Sequence, residues 1–161
     1  MPQTVTTTFR LMGEVIMRQL FIVIVGVILS SHCLAGRPFD TKEKEEIIRG
    51  IASEQNKKLP MMLDASTRHD STLAGPGEKL TYVFTIMDLN VKYENSPAHK
   101  EAVRYIHNEI YPSTIRGNCS TPATRKAIDL GITTAYLYRD VKGIYITTTS
   151  IDKNLCKTFG L

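Results

Sequence analysis

The chain has 161 residues, 42% of them hydrophobic and 22% charged, with a formal net charge of +4. This is the composition of a globular protein with one modest core. The basic residues are spread along the chain without a stripe, which argues against a nucleic-acid partner, and the lack of an internal repeat argues against a solenoid.

From Met17 to Asp40 the chain reads MRQLFIVIVGVILSSHCLAGRPFD. Arg18 is a positive start, Leu20 to Leu29 is an unbroken apolar run, and small residues precede Arg37, the pattern of a secretory signal. The run is about half of the roughly 20 residues a membrane-spanning helix needs, so a retained anchor is the weaker reading. A type I peptidase would cut after Ala35. A lipoprotein peptidase would instead cut before Cys33 and acylate it, but His32 stands where a small residue is wanted. Met17 reads as the true initiator, with residues 1–16 an artefact upstream of it. The expected division is therefore 1–36, extension and cleaved signal, and 37–161, a single α+β domain, periplasmic or secreted. Without Arg10, Arg18 and Glu14 the remainder keeps 18 basic and 15 acidic residues, a charge near +3. Membrane contact is expected only if Cys33 is lipidated or the leader is retained.

Asp40 followed by Glu43 is a capping-box pattern. Ile47, Ile48, Ile51 and Ala52 then fall on one face, with Lys42, Glu46, Arg49 and Lys57 on the other, predicting a helix from Thr41 to about Lys58 that ends before Pro60. RHDSTLAGPGEKLTYVFTIM predicts a hairpin about Gly75-Pro76-Gly77, with Leu80, Tyr82, Phe84 and Ile86 alternating along its stronger strand. Ser96-Pro97 starts a second helix carrying Ala102, Val103, Ile106 and Ile110, and Pro112 closes it. Thr121-Pro122 starts a third, stopped by Gly131. ITTAYLYRDVKGIYITTTSI predicts a second hairpin turning at Asp140 to Gly143, with Tyr136, Tyr138 and Tyr145 as a cross-strand aromatic patch. The order α-β-β-α-α-β-β predicts an α+β fold: an antiparallel sheet of about four strands, made of two hairpins, packed by two to three helices.

Export places the cysteines in an oxidising compartment, where disulfides form. With the leader gone, Cys119 and Cys156 are an even pair. A bridge is expected, tying the loop before the third helix to the end of the last strand. The alternative is a nucleophilic Cys119, activated by the helix start and a histidine, but no oxyanion loop or catalytic signature accompanies it, so no catalytic residue is assigned. His99 and His107 lie about two turns apart, too far to chelate one ion. His69 and Asp70, adjacent in a strand, point to opposite faces. The histidines read as exposed polar residues, and no metal or cofactor is expected. Asp64, Asp70 and Asp88 read as turn residues near strand ends. The mixed charges from Lys42 to Glu46 read as a solvated face. Arg116, Arg125 and Lys126 beside a helix start form a candidate corner for an anion or a partner's carboxylate.

Asn56 to Asp64 (NKKLPMMLD), Lys79 to Tyr82 (KLTY), and Cys119, Pro122 and Arg125 in a C-x-x-P pattern resemble segments of small exported proteins of Gram-negative bacteria, most without an assigned activity. The chain is also similar to secretion-system pilotins in size and disulfide use. The resemblance implies an exported, non-enzymatic domain that binds another protein through a sheet face or helix groove, in envelope assembly, secretion or virulence. An envelope inhibitor or immunity protein is the alternative, and a cysteine-dependent hydrolase the third.

Overall fold

The structure, a computed structural model, describes residues 39–161. The expected leader, the Met17 start, Cys33 and the cut after Ala35 lie outside the described residues.

Asp40 caps the first helix, α1 (Thr41–Asn56), as a full capping box. Its side chain accepts from Glu43 N, and the Glu43 carboxylate accepts from Asp40 N. The chain then forms β1 (Met61–Met62), β2 (Thr67–Gly75) and β3 (Lys79–Ile86). Next come α2 (Pro97–Tyr105), a π-helical turn (Ile106–Ile110), α3 (Tyr111–Ser120) and α4 (Pro122–Asp129). The strands β4 (Thr133–Asp140) and β5 (Tyr145–Ile151) and a terminal helix, α5 (Lys153–Thr158), complete the order.

The fold is α+β, with five strands in the order β1-β2-β3-β4-β5. Two corrections to the expected sheet follow. The short β1 adds a fifth strand through Met61 and Met62. The two hairpins also do not join into an all-antiparallel sheet, because β3 and β4 run parallel, Lys79 opposite Thr133 through Ile86 opposite Asp140. The helices between them form a crossover that returns the chain to the starting end of β3, the connection parallel neighbours require.

The helical layer also differs from expectation. Pro112 does not end the second helix. The π-turn shifts the hydrogen-bond register, with Tyr111 N donating to the Ile106 carbonyl, so that Pro112 falls in the first turn of α3. There its missing N–H costs nothing. Ser96 caps α2 through His99 N, and Gly131, at φ 90°, stops α4. The terminal α5 was not expected. Asp152 caps it by accepting from Leu155 N.

One core lies between the helices and a single sheet face. Ile48 and Ala52 of α1, Ile106, Ile115 and Ile128 pack on Leu80, Tyr82, Phe84, Tyr136 and Tyr138. Three phenols knit the two layers together. Tyr82 lies beside Gln55 of α1, Tyr136 Oη donates to Asn118 Oδ1 of α3 at 2.8 Å, and Tyr138 lies beside Thr114. Burial raises the pKa of all three, keeping them protonated. The aromatic patch thus pairs Tyr136 and Tyr138 with Tyr82 and Phe84 across β3 and β4. Tyr145 lies outside it, exposed and opposite Arg139, because a bulge interrupts the register between Tyr138 and Arg139.

Candidate functional site

Ala123 and Ala127, one turn apart on α4, present short side chains toward the sheet, so the helix does not fill the space beside it. The result is a small cleft between α1 and α4, with free space of about 30 Å³ beneath its open mouth. Ile51, Leu80, Ala127 and Ile132 give it an apolar lining, and Gln55 and Asn118 place amides in its wall. An apolar hollow with a few oriented polar groups is the usual form of a recognition site.

Both amides are held in place. Gln55 Oε1 accepts from Thr72 Oγ1 at 2.8 Å. Asn118 accepts from Tyr136 and donates from Nδ2 to the Thr114 carbonyl at 2.9 Å, while Thr124 Oγ1 donates to the Asn118 carbonyl at 2.7 Å. The cleft is therefore walled by fixed groups, which lowers the ordering cost of a ligand.

Cys119 and Cys156 are bonded to each other, with their Cα atoms 5.5 Å apart. The bridge runs from the last turn of α3 to α5. Neither cysteine sits where expected, in a pre-helix loop or at a strand end, because α3 continues past Pro112 and α5 follows β5. A bonded Cys119 has no thiolate to act as a nucleophile.

Arg116, Arg125 and Lys126 are distributed over α3 and α4. Arg125 is engaged, its Nε donating to Asp129 at 3.1 Å and its Nη1 to the Cys119 carbonyl at 3.5 Å. Arg116 and Lys126 are exposed and form no ion pair among the described residues. Lys44 is the most enclosed cation of the α1 charge run, meeting Glu78 at 3.1 Å and tying the helix to the β2–β3 turn.

Two histidines read as exposed are in fact buried, His69 at 4% and His99 at 8% accessibility. His99 Nε2 lies 3.0 Å from the Tyr145 carbonyl and donates to it, and His107 Nε2 is 3.3 Å from Thr147 Oγ1. With the Tyr111 hydroxyl donating to the Ser150 carbonyl, these contacts line the helical segment against the outer strand β5. At the other edge Asn56 acts as a substitute strand. Its Oδ1 accepts from Thr72 N and its Nδ2 donates to the Thr72 carbonyl, both at 2.8 Å. Such cover blunts the pairing tendency of sheet edges. Among the described residues no group of three or more His, Cys, Asp or Glu is placed to hold a metal ion.

His69 packs against Tyr82 and Phe84, with Nε2 3.0 Å from Thr72 Oγ1. Burial lowers its pKa from the ordinary 6.5. Asp70 is not a turn residue. It sits at a β-bulge and accepts from Thr85, Arg68 and Arg139. Burial alone would raise its pKa, but these donors outweigh it and hold the carboxyl below the ordinary 3.8. The unfolded chain therefore binds protons before the folded one at both residues. Stability is expected to start falling as pH drops through 6.5, from His69, and to fall again below 3.8, from Asp70. In His69→Gln the first phase should vanish from denaturation midpoints measured against pH. If it persists unchanged, another group is responsible.

The chain is similar in fold to several solved structures. A Pseudomonas aeruginosa protein classed as secreted aligns with a TM-score of 0.60 at 16% identity, over 75% of this chain and 99% of that one. EpsS, the pilotin of the Vibrio vulnificus type 2 secretion system, aligns at 0.55 and 11% identity, over 71% and 93%. AspS, a type II secretion pilotin of Vibrio cholerae, aligns at 0.49 and 17% identity, over 71% and 94%. At such identities the likeness is one of fold. No protein-family model and no curated protein sequence matches the chain.

Proposed function

We propose that this is an exported, non-enzymatic protein-binding module of the cell envelope or secretion apparatus, whose partner inserts a segment into the α1–α4 cleft. The cleft carries the reading, as an apolar hollow with preset amides that the protein leaves unfilled. The alternative binding mode, strand addition to the sheet, is disfavoured because Asn56 occupies Thr72 at one edge and His99 and Tyr111 occupy carbonyls at the other. The secretory leader pattern, the disulfide and the fold shared with a protein classed as secreted and with a secretion-system pilotin support export. Arg116, Arg125 and Lys126 put positive charge on the helices beside the cleft and would speed encounter with an acidic partner.

Site-specific photocrosslinking in the native host tests this. A crosslinker at Ala127 is expected to trap a discrete partner band, and one at the exposed Lys157 is not. Ile51→Arg should cut the yield about tenfold, the effect of losing one central contact. Equal banding from both positions, or an Ile51→Arg protein that is folded and still crosslinks fully, would refute the assignment.

A further inference from the structure

On the sheet face turned away from the helices, five paired residues make one transverse row: Met62, Arg68, Thr85, Arg139 and Tyr145, one from each strand. Asp70 joins this row at the bulge between His69 and Ser71. Its side chain is only 9% exposed. Oδ1 accepts from Arg68 Nε, while Oδ2 accepts from Thr85 Oγ1 and, at 3.0 Å, from Arg139 Nη2. Arg139 Nε donates to the Thr85 hydroxyl at 3.3 Å.

One carboxylate thus faces two guanidinium groups, and the cluster carries a surplus positive charge. Neutralising Asp70 requires only one arginine, which would do so best through two parallel N–H bonds. Here each arginine instead gives the carboxylate a single N–H. A guanidinium carries five such donors. Among the described residues Arg68 spends one of them and Arg139 two. The side chains remain 37% and 38% exposed. Two like charges sharing one counter-ion repel each other, and a second anion beside them would relieve that repulsion. Asp70 and Thr85 also fix the approach of both arginines, so little order is lost when a ligand arrives. Met62 and Tyr145, both exposed, close the row with apolar surface.

We infer that Arg68 and Arg139, held by Asp70, form a carboxylate-recognition site for an acidic side chain of an extended protein segment lying along this row. A single surplus charge between apolar flanks matches the single charge of an aspartate or glutamate with apolar neighbours. A phosphate dianion would be left half-neutralised. The site lies across the sheet from the α1–α4 cleft and stands whether or not the cleft binds a partner.

The test uses the full chain from an exporting host, labelled with ¹⁵N at arginine. It is titrated separately with the capped peptide Val-Glu-Val, its Val-Gln-Val counterpart, acetate and inorganic phosphate. The Nε–Hε signals of Arg68 and Arg139 should move with Val-Glu-Val and stay still with Val-Gln-Val. Arg68→Gln and Arg139→Gln should each weaken the peptide by about tenfold or more, the scale of one charge-assisted hydrogen bond. In either variant Asp70 keeps one arginine and Thr85, and an unchanged backbone amide spectrum elsewhere verifies the fold. No movement, equal movement with the glutamine peptide, or unweakened binding in both variants would overturn the site. Acetate or phosphate binding as tightly as the peptide would overturn its assignment to a protein segment.

Discussion

Replacing Asp140 with alanine is expected to cost about 4 kcal/mol, among the largest losses available to a single substitution in this fold. The residue is fully buried, at 0% accessibility, and forms no ion pair among the described residues. Oδ1 accepts from Lys142 N at 2.9 Å and Ile144 N at 2.8 Å, closing the β4–β5 turn. Oδ2 accepts from Val91 N at 3.0 Å, a residue forty-nine positions away. One carboxylate therefore holds the turn and the loop leading to α2 together. Alanine would leave these three donors without their acceptor, each worth roughly 1–3 kcal/mol when buried, with water recovering part of the loss at the exposed turn. Asp140→Asn should cost about half as much, since its carbonyl still accepts while its NH₂ opposes an N–H. Chemical denaturation gives the energies, and amide exchange at Val91 and Ile144 should accelerate together. A loss under about 1 kcal/mol, or exchange that changes at one amide alone, would rule out this shared anchor.

Removing the Cys119–Cys156 bridge is the second large effect. The cysteines are 37 positions apart, and closing a loop of that length in the unfolded chain corresponds to about 4 kcal/mol in the chain-entropy description. Both are nearly inaccessible, at 3% and 0%, so a reductant should act slowly until the protein opens. The double variant Cys119→Ser, Cys156→Ser should lower the guanidinium midpoint accordingly. It should also fray α5 first, because six residues are too few for a helix to stand alone. Besides the bridge, α5 is held by Leu155 against the core, by the Asp152 cap and by a peripheral contact of Lys153 with Asp129 at 3.8 Å. Equal midpoints for the oxidised and double-serine proteins would show that the bridge adds no stability.

Asp140 illustrates how far the sequence could be read. Its place at a hairpin turn was legible from Asp140 to Gly143, because turn chemistry is local. Its bond to Val91 was not, because nothing near either residue announces the other. The same division holds at Asp70. Opposite orientations for His69 and Asp70 follow from strand alternation, and the structure has that arrangement. The convergence of Arg68 and Arg139 on Asp70 required the bulge and the parallel β3–β4 register. The cleft was invisible for a similar reason. Alanines such as Ala123 and Ala127 are ordinary helix residues, and only the placement of α4 against the sheet shows that they underfill the space beside it.

Local signals also misled where a second register was available. Pro112 looked like a helix stop, yet the π-turn before it moved it into a first turn, where proline is welcome. Cys119 accordingly sits in a helix. By itself the sequence determined the helix starts at Asp40, Ser96 and Thr121, the stop at Gly131, both hairpin turns and the α+β class. These depend on caps, backbone freedom and periodicity within a few residues. Tertiary structure alone decided the parallel junction of the two hairpins, the fifth strand, the covered edges, the cleft and the arginine pair. Each of these joins residues far apart in the chain, whose meeting is set by how the layers pack and not by any preference the residues carry individually.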